Sequence, residues 1–181
     1  MAKTKELTPS QSINMFKEFY KKGKKSLKQK DFRPGTLIAY MYNAKDKEMT
    51  YDRTPLVLVL KRSRGYTLCI NFHWAPVPLR IILVKKIISL NKRNIKLNKE
   101  LEFDYKTLKP FLKRIGFSPV IRLYINNRIS SSGIIIPSDQ LMNAARMKTE
   151  TFTKGKYTAE QLYLMALKQN KKYRSTRKRR S

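Results

Sequence analysis

The chain has 181 residues, enough for one compact domain with extensions or two very small ones, and its single cysteine excludes an intrachain disulfide. Lysine and arginine number 41 against 12 acidic residues, a formal net charge of +29, far more than solubility asks of a small domain. Such a chain gains free energy when an anionic polymer neutralises it, so nucleic acid is the first partner to consider and acidic subunits of a large assembly the second.

A membrane partner is not expected. The longest apolar runs, LVLVL (56–60) and IILVKKIISL (81–90), are too short to cross a bilayer, and MAKTKELTPS does not resemble a signal peptide. The expectation is a protein assembled inside a cell, a virion included.

In chain order, Thr8 before Pro9 predicts an N-cap and first helical position, with Ile13, Phe16, Phe19 and Tyr20 following at helical spacing. Lys21, Lys22, Lys24, Lys25 and Lys28 make the helix and its exit basic with almost no acid interleaved, which suits a phosphate-contacting arm. RPG at 33–35 ends this arm, and the apolar period then changes. TLIAYMY (36–42), TPLVLVLKR (54–62) and YTLCINFHW (66–74) predict three strands joined by polar turns, the second turn carrying Arg62 and Arg64. A meander of this kind predicts a small antiparallel SH3-like or OB-like β-barrel.

Helical spacing resumes from Leu79 to Leu90, followed by a charged connector over 91–104 and an amphipathic helix over 105–115 that Gly116 stops. Pro110 is compatible with that helix only if it starts near Thr107. A further strand pair is expected from VIRLYIN (120–126) and GIIIP (133–137), around a serine-rich turn at 130–132. Ser138 is placed to cap a short helix through Leu141, Met142 and Ala145, and Thr158 with Gln161 forms a capping box for a last helix. The predicted organisation is therefore α+β: a basic helical arm (1–34), a core of β-barrel and packed helices (35–150), a C-terminal helix (151–170) and a disordered basic tail (171–181). The tail carries Lys171, Lys172, Arg174, Arg177, Lys178, Arg179 and Arg180.

Little here suggests catalysis. One histidine and one cysteine cannot build a zinc site, and converging carboxylates for magnesium are scarce. On a strand, Cys69 and His73 would lie roughly 13 Å apart at ~3.3 Å per residue, too far for a nucleophile and its base. Asp104-Tyr105-Lys106 matches the acid-x-Lys element of magnesium nucleases, with Asp52 the one attractive further acid. That element belongs on a strand, whereas these residues precede a helix, so Asp104 is expected to be an N-cap. No phosphate loop, dinucleotide fingerprint, helix-turn-helix, zinc finger or RNP motif is present, which favours backbone contact over base readout. No cofactor is implied.

YDRTPL (51–56), a short hairpin, and INFHWAPVPLR (70–80) together resemble a pattern found in virion or packaging-associated proteins of tailed phages, among them DNA end protectors of T4-like phages and structural-module proteins of crAss-like phages. The residues that carry the likeness are Tyr51, Asp52, Arg53, Pro55, Asn71, His73, Trp74 and Arg80, with looser similarity through LYINNRISSSGIIIPSDQL. Cys69 stands where the pattern would have glycine, which weakens any catalytic role for the thiol. The resemblance implies a virion or packaging setting, and with the charge it leads to the expectation of a non-enzymatic protein that contacts double-stranded DNA, at its ends or near the portal vertex, alongside other virion proteins. A purely structural head or neck component pairing with acidic subunits is the first alternative, and a magnesium nuclease using Asp52, Asp104 and Lys106 the second. His73 is expected to satisfy a backbone group or pair with Asp52, and Trp74 to pack where the chain leaves the sheet.

Overall fold

The computed structural model describes residues 7–44, 52–96, 101, 103–148 and 157–178. Helix α1 (Pro9–Gly23) opens with reciprocal bonds: the Thr8 amide donates to the Gln11 side chain at 2.9 Å, and the Gln11 amide donates to the Thr8 hydroxyl at 3.2 Å. Phe19 reaches the main core, whereas Ile13, expected on the same apolar face, is exposed.

The chain then enters β1 (Lys24–Ser26), followed by β2 (Leu37–Tyr42), β3 (Leu56–Arg62), β4 (Tyr66–Asn71), β5 (Ile121–Ile125) and β6 (Ile129–Ile136). Hydrogen bonding orders them β1-β6-β2-β3-β4-β5, every pair antiparallel. Lys24 and Lys25, read from the sequence as the exit of a helical arm, lie instead in the short edge strand, opposite Ile134 and Gly133. The α+β class and the β2-β3-β4 meander agree with the sequence pattern.

The sheet is not closed, so the expected barrel is corrected. Three residues, Asn126–Arg128, connect β5 at one edge to β6 near the other, which requires a strong curl. No β5–β6 ladder forms among the described residues. At that seam the Ile125 amide donates to the Tyr42 hydroxyl at 3.3 Å, so a side chain takes a backbone donor that barrel closure would have paired. The second expected strand pair is also corrected: β5 lies beside β4, and β6 lies between β1 and β2, with Ser130–Ser132 inside the strand rather than in a turn.

Side-chain alternation divides the apolar residues between two cores. Leu37, Ala39, Leu56, Leu58, Leu60, Ile70, Ile134 and Ile136 face the helices. Ile38, Tyr40, Val57, Val59, Cys69 and Tyr124 fill the concave side, with Leu27 and Phe32. Strand β3 is buried on both faces, which explains why LVLVL is continuously apolar rather than alternating.

The helix-side layer comprises α2 (Val77–Leu90), α3 (Lys92–Lys96), α4 (Tyr105–Arg114), α5 (Leu141–Arg146) and α6 (Ala159–Lys178). Asp104 caps α4 by accepting from the Lys106 amide at 2.9 Å, as the spacing predicts. The helix nevertheless begins at Tyr105, so Pro110 sits in its interior and costs it one i→i−4 bond. Gly116 follows in the left-handed region at φ 86° and ends it. Ser138 caps no helix through its side chain; it opens a 3₁₀ turn before α5.

The Thr158–Gln161 capping box is present, and α6 runs to Lys178 rather than ending at residue 170. Residues 159–178 contain neither glycine nor proline and are rich in good helix formers, which favours continuation. No helix among the described residues is long and apolar enough to cross a membrane.

Candidate nucleic-acid interface

The concave side of the sheet carries a buried polar cluster built on the family-like segments. Strand β4 ends at Asn71 instead of running through Trp74, because the Asn71 side chain accepts from the His73 amide at 2.8 Å and caps a 3₁₀ turn, Phe72–Trp74. That turn swings His73 back toward the loop before β3, where its Nδ1 lies 2.5 Å from Asp52. The Thr54 amide also donates to Asp52, at 3.0 Å, and Asn71 Nδ2 donates to the Tyr124 hydroxyl, also at 3.0 Å.

Burial alone would raise the Asp52 carboxyl, but the charge and hydrogen bond of His73, aided by Thr54 and Asn71, hold it below its ordinary value. Burial pushes the Cys69 thiol and the Tyr40 and Tyr124 hydroxyls up, which keeps them protonated and inert at neutral pH. Trp74 is buried under the Arg122 guanidinium, 4.3 Å from its ring centroid, and α6 packs over the turn. Arg80 is buried in the first turn of α2, and Pro55 is buried ahead of β3. Tyr51 lies outside the described residues.

Beside this cluster, an open groove of about 670 Å³ is lined by Met41, Tyr42, Asn43, Arg53, Asn127, Arg128, Ile129 and Ser130. Its two arginines come from separate loops but share one template. The Tyr42 amide donates to the Arg53 carbonyl at 2.8 Å, and the next amide, Asn43, donates to the Arg128 carbonyl at 3.1 Å. Arg128 also donates through Nη1 to the Asn43 carbonyl at 3.3 Å. Among the described residues, no carboxylate lines the groove.

The remaining basic residues are distributed unevenly. Lys21 and Lys28 are exposed, and Arg64 is exposed in the β3–β4 turn. Arg62 is half-buried: it stacks 4.5 Å over the Phe32 ring and donates to Thr67 at 3.1 Å, so its guanidinium serves the fold. Lys22 lies in α1, Lys24 and Lys25 in β1, and Lys171, Lys172, Arg174, Arg177 and Lys178 in α6. Arg179 and Arg180 fall outside the described residues.

A surface that the sequence reading passed over is α4. Lys106, Lys109 and Lys113 recur at helical spacing and are all exposed, with Arg114 beside them. Lys86 of α2 approaches the Phe111 ring of α4 at 5.9 Å, and Lys85 of α2 with Lys92 and Arg93 of α3 are exposed as well. The signal was present in YKTLKPFLKR, which has four basic residues and no acid. Arg128 carried no comparable signal, since its partner in the groove is 75 residues away. Asp104 and Asp52, weighed above for magnesium, cap α4 and hold His73 respectively.

No curated protein sequence and no solved structure matches the chain. The likeness first read from YDRTPL and INFHWAPVPLR nevertheless extends far beyond them, because the family model described as Phage T4 terminal DNA protecting protein matches residues 2–166, and the chain belongs to that family.

Proposed function

We propose that the chain binds the ends of linear double-stranded DNA in a tailed phage and protects them by occupying them, without chemistry of its own. The observation that carries this reading is the surface charge: exposed lysines and arginines on α1, the β3–β4 turn and the α2–α4 face far outnumber the exposed acids among the described residues, Glu18, Asp104, Asp139 and Glu160. Membership in a family described as terminal DNA protecting supports the same partner. Phosphate contacts supply affinity without regard to sequence, which suits a protein that must cover whatever end it meets. The setting we favour is the virion or genome packaging, near the portal vertex, where an end of packaged DNA and other virion proteins would be neighbours.

The test is an exonuclease assay on a linear duplex, paired with binding measured across a salt series. Protection should appear on linear DNA, and log affinity should fall steeply and linearly with log salt, with a slope of about −0.9 per neutralised phosphate. Deleting residues 168–181 should flatten that slope. Absent or salt-independent binding would sink the proposal and favour a structural component that pairs with acidic subunits. Magnesium-dependent cleavage lost in Asp104→Ala would overturn the non-enzymatic part.

A further inference from the structure

The geometry points to the Arg53–Arg128 groove as the receptor for a terminal phosphomonoester on a DNA strand, the feature by which an end differs from the middle of a duplex. This inference rests on the end-binding reading above and adds the site to it. A terminal monoester carries about −1.5 to −2 charges near neutral pH, against one for an internal diester. Two arginines lining one groove bring two positive charges to meet that doubled charge, and a guanidinium's planar fork has donors to share with phosphate oxygens.

Here both arginines are anchored through their backbones to consecutive amides, Tyr42 and Asn43, at 2.8 and 3.1 Å. The backbones that carry them are thus held together by the end of β2 before any ligand arrives, which limits the ordering cost to the side chains. Asn127 and Ser130 add neutral donors, and none of the described lining residues is a carboxylate that would oppose an anion. Met41, 66% exposed at the rim, offers an apolar surface for the terminal base. The volume of about 670 Å³ lies within the range typical of small-ligand sites, roughly 300–1,000 Å³.

The experiment compares the full-length protein on short duplexes bearing 5′-phosphate, 3′-phosphate or only hydroxyl termini, and on a covalently closed circle. One phosphorylated end should bind at least roughly tenfold more tightly than the hydroxyl end, the ratio expected for one good charge-assisted contact; which end it is identifies the strand polarity. Arg53→Gln with Arg128→Gln should erase that preference and leave the salt-dependent binding to the circle. Asn127→Asp, which puts a carboxylate into the groove without altering either arginine, should erase it too, and guards against a misfolded double variant. Equal affinity for all termini, or a preference that survives these variants, overturns the inference while leaving end protection by the basic surface intact. Failure of the wild type to bind any DNA sinks both.

Discussion

The helix-covered face of the sheet is filled by Leu37, Leu56, Leu58, Leu60, Ile70 and Ile136, whereas the concave face mixes Val57 and Val59 with Tyr40, Tyr124, Asn71 and the Asp52–His73 pair. The first face gains stability from area removed from water and has no preferred chemistry. The second buries polar groups that need partners, and the bonds that Asp52 and Asn71 make to His73, Thr54 and Tyr124 fix the loop before β3 and the turn after β4. The loop before β3 so fixed carries Arg53 to the groove. The apolar core thus holds the sheet, and the polar one positions residues at its rim.

Substitution on the two faces should separate these roles. Leu58→Ala, in a fully buried position on the helix side, should cost about 2–5 kcal/mol, read as a lowered denaturant midpoint at unchanged slope. Asp52→Asn should cost less, about 1.5–3 kcal/mol at neutral pH, because it removes the charge-assisted bond to His73. Its pH dependence is the sharper readout. The folded carboxyl is held low, so its contribution is complete above the ordinary aspartate range and is lost as pH falls through the folded value. The difference between wild type and Asp52→Asn should therefore shrink in strong acid; a difference constant down to that range would refute the assignment.

Gly133→Ala should cost about 1–3 kcal/mol, since a Cβ there meets the Ala39 carbonyl at 2.6 Å and a Leu27 methyl at 2.5 Å. The loss should fall on β1, seen as faster hydrogen exchange at Ser26 and Leu27 than at β3. Lys106→Gln, Lys109→Gln and Lys113→Gln should each leave stability within about 0.5 kcal/mol. Combined, they should flatten the salt slope of DNA binding by up to about 0.9 per lost contact, and an unchanged slope would remove α4 from the interface.

The elements legible in the sequence are those set by local chemistry. Capping residues at Thr8, Asp104 and Thr158 marked three helix starts, and polar turns separated β2, β3 and β4. Failures arose where a distant partner decides. KKS at 24–26 has no apolar pattern and becomes a strand only because β6 is beside it. FHW prolongs the apolar run of β4, and only the Asn71 side chain turns it aside. Whether the seam closed depended on Tyr42 meeting Ile125, 83 positions on. The same holds for the site: Asp52 with His73 was among the pairings offered from sequence, whereas Arg62 sank onto Phe32 and Arg128 reached the groove through non-local geometry.

The open sheet leaves two edges, and exposed edges invite copies of a chain to pair with one another. Here one edge is three residues long, and two of the three are lysines. Joining a second β1 would set like charges against each other on a molecule that already carries +29. At the other edge, β5 has five residues, and the Tyr42 hydroxyl already occupies the Ile125 amide. The sheet that stopped short of a barrel is therefore guarded at both edges against pairing with a second copy.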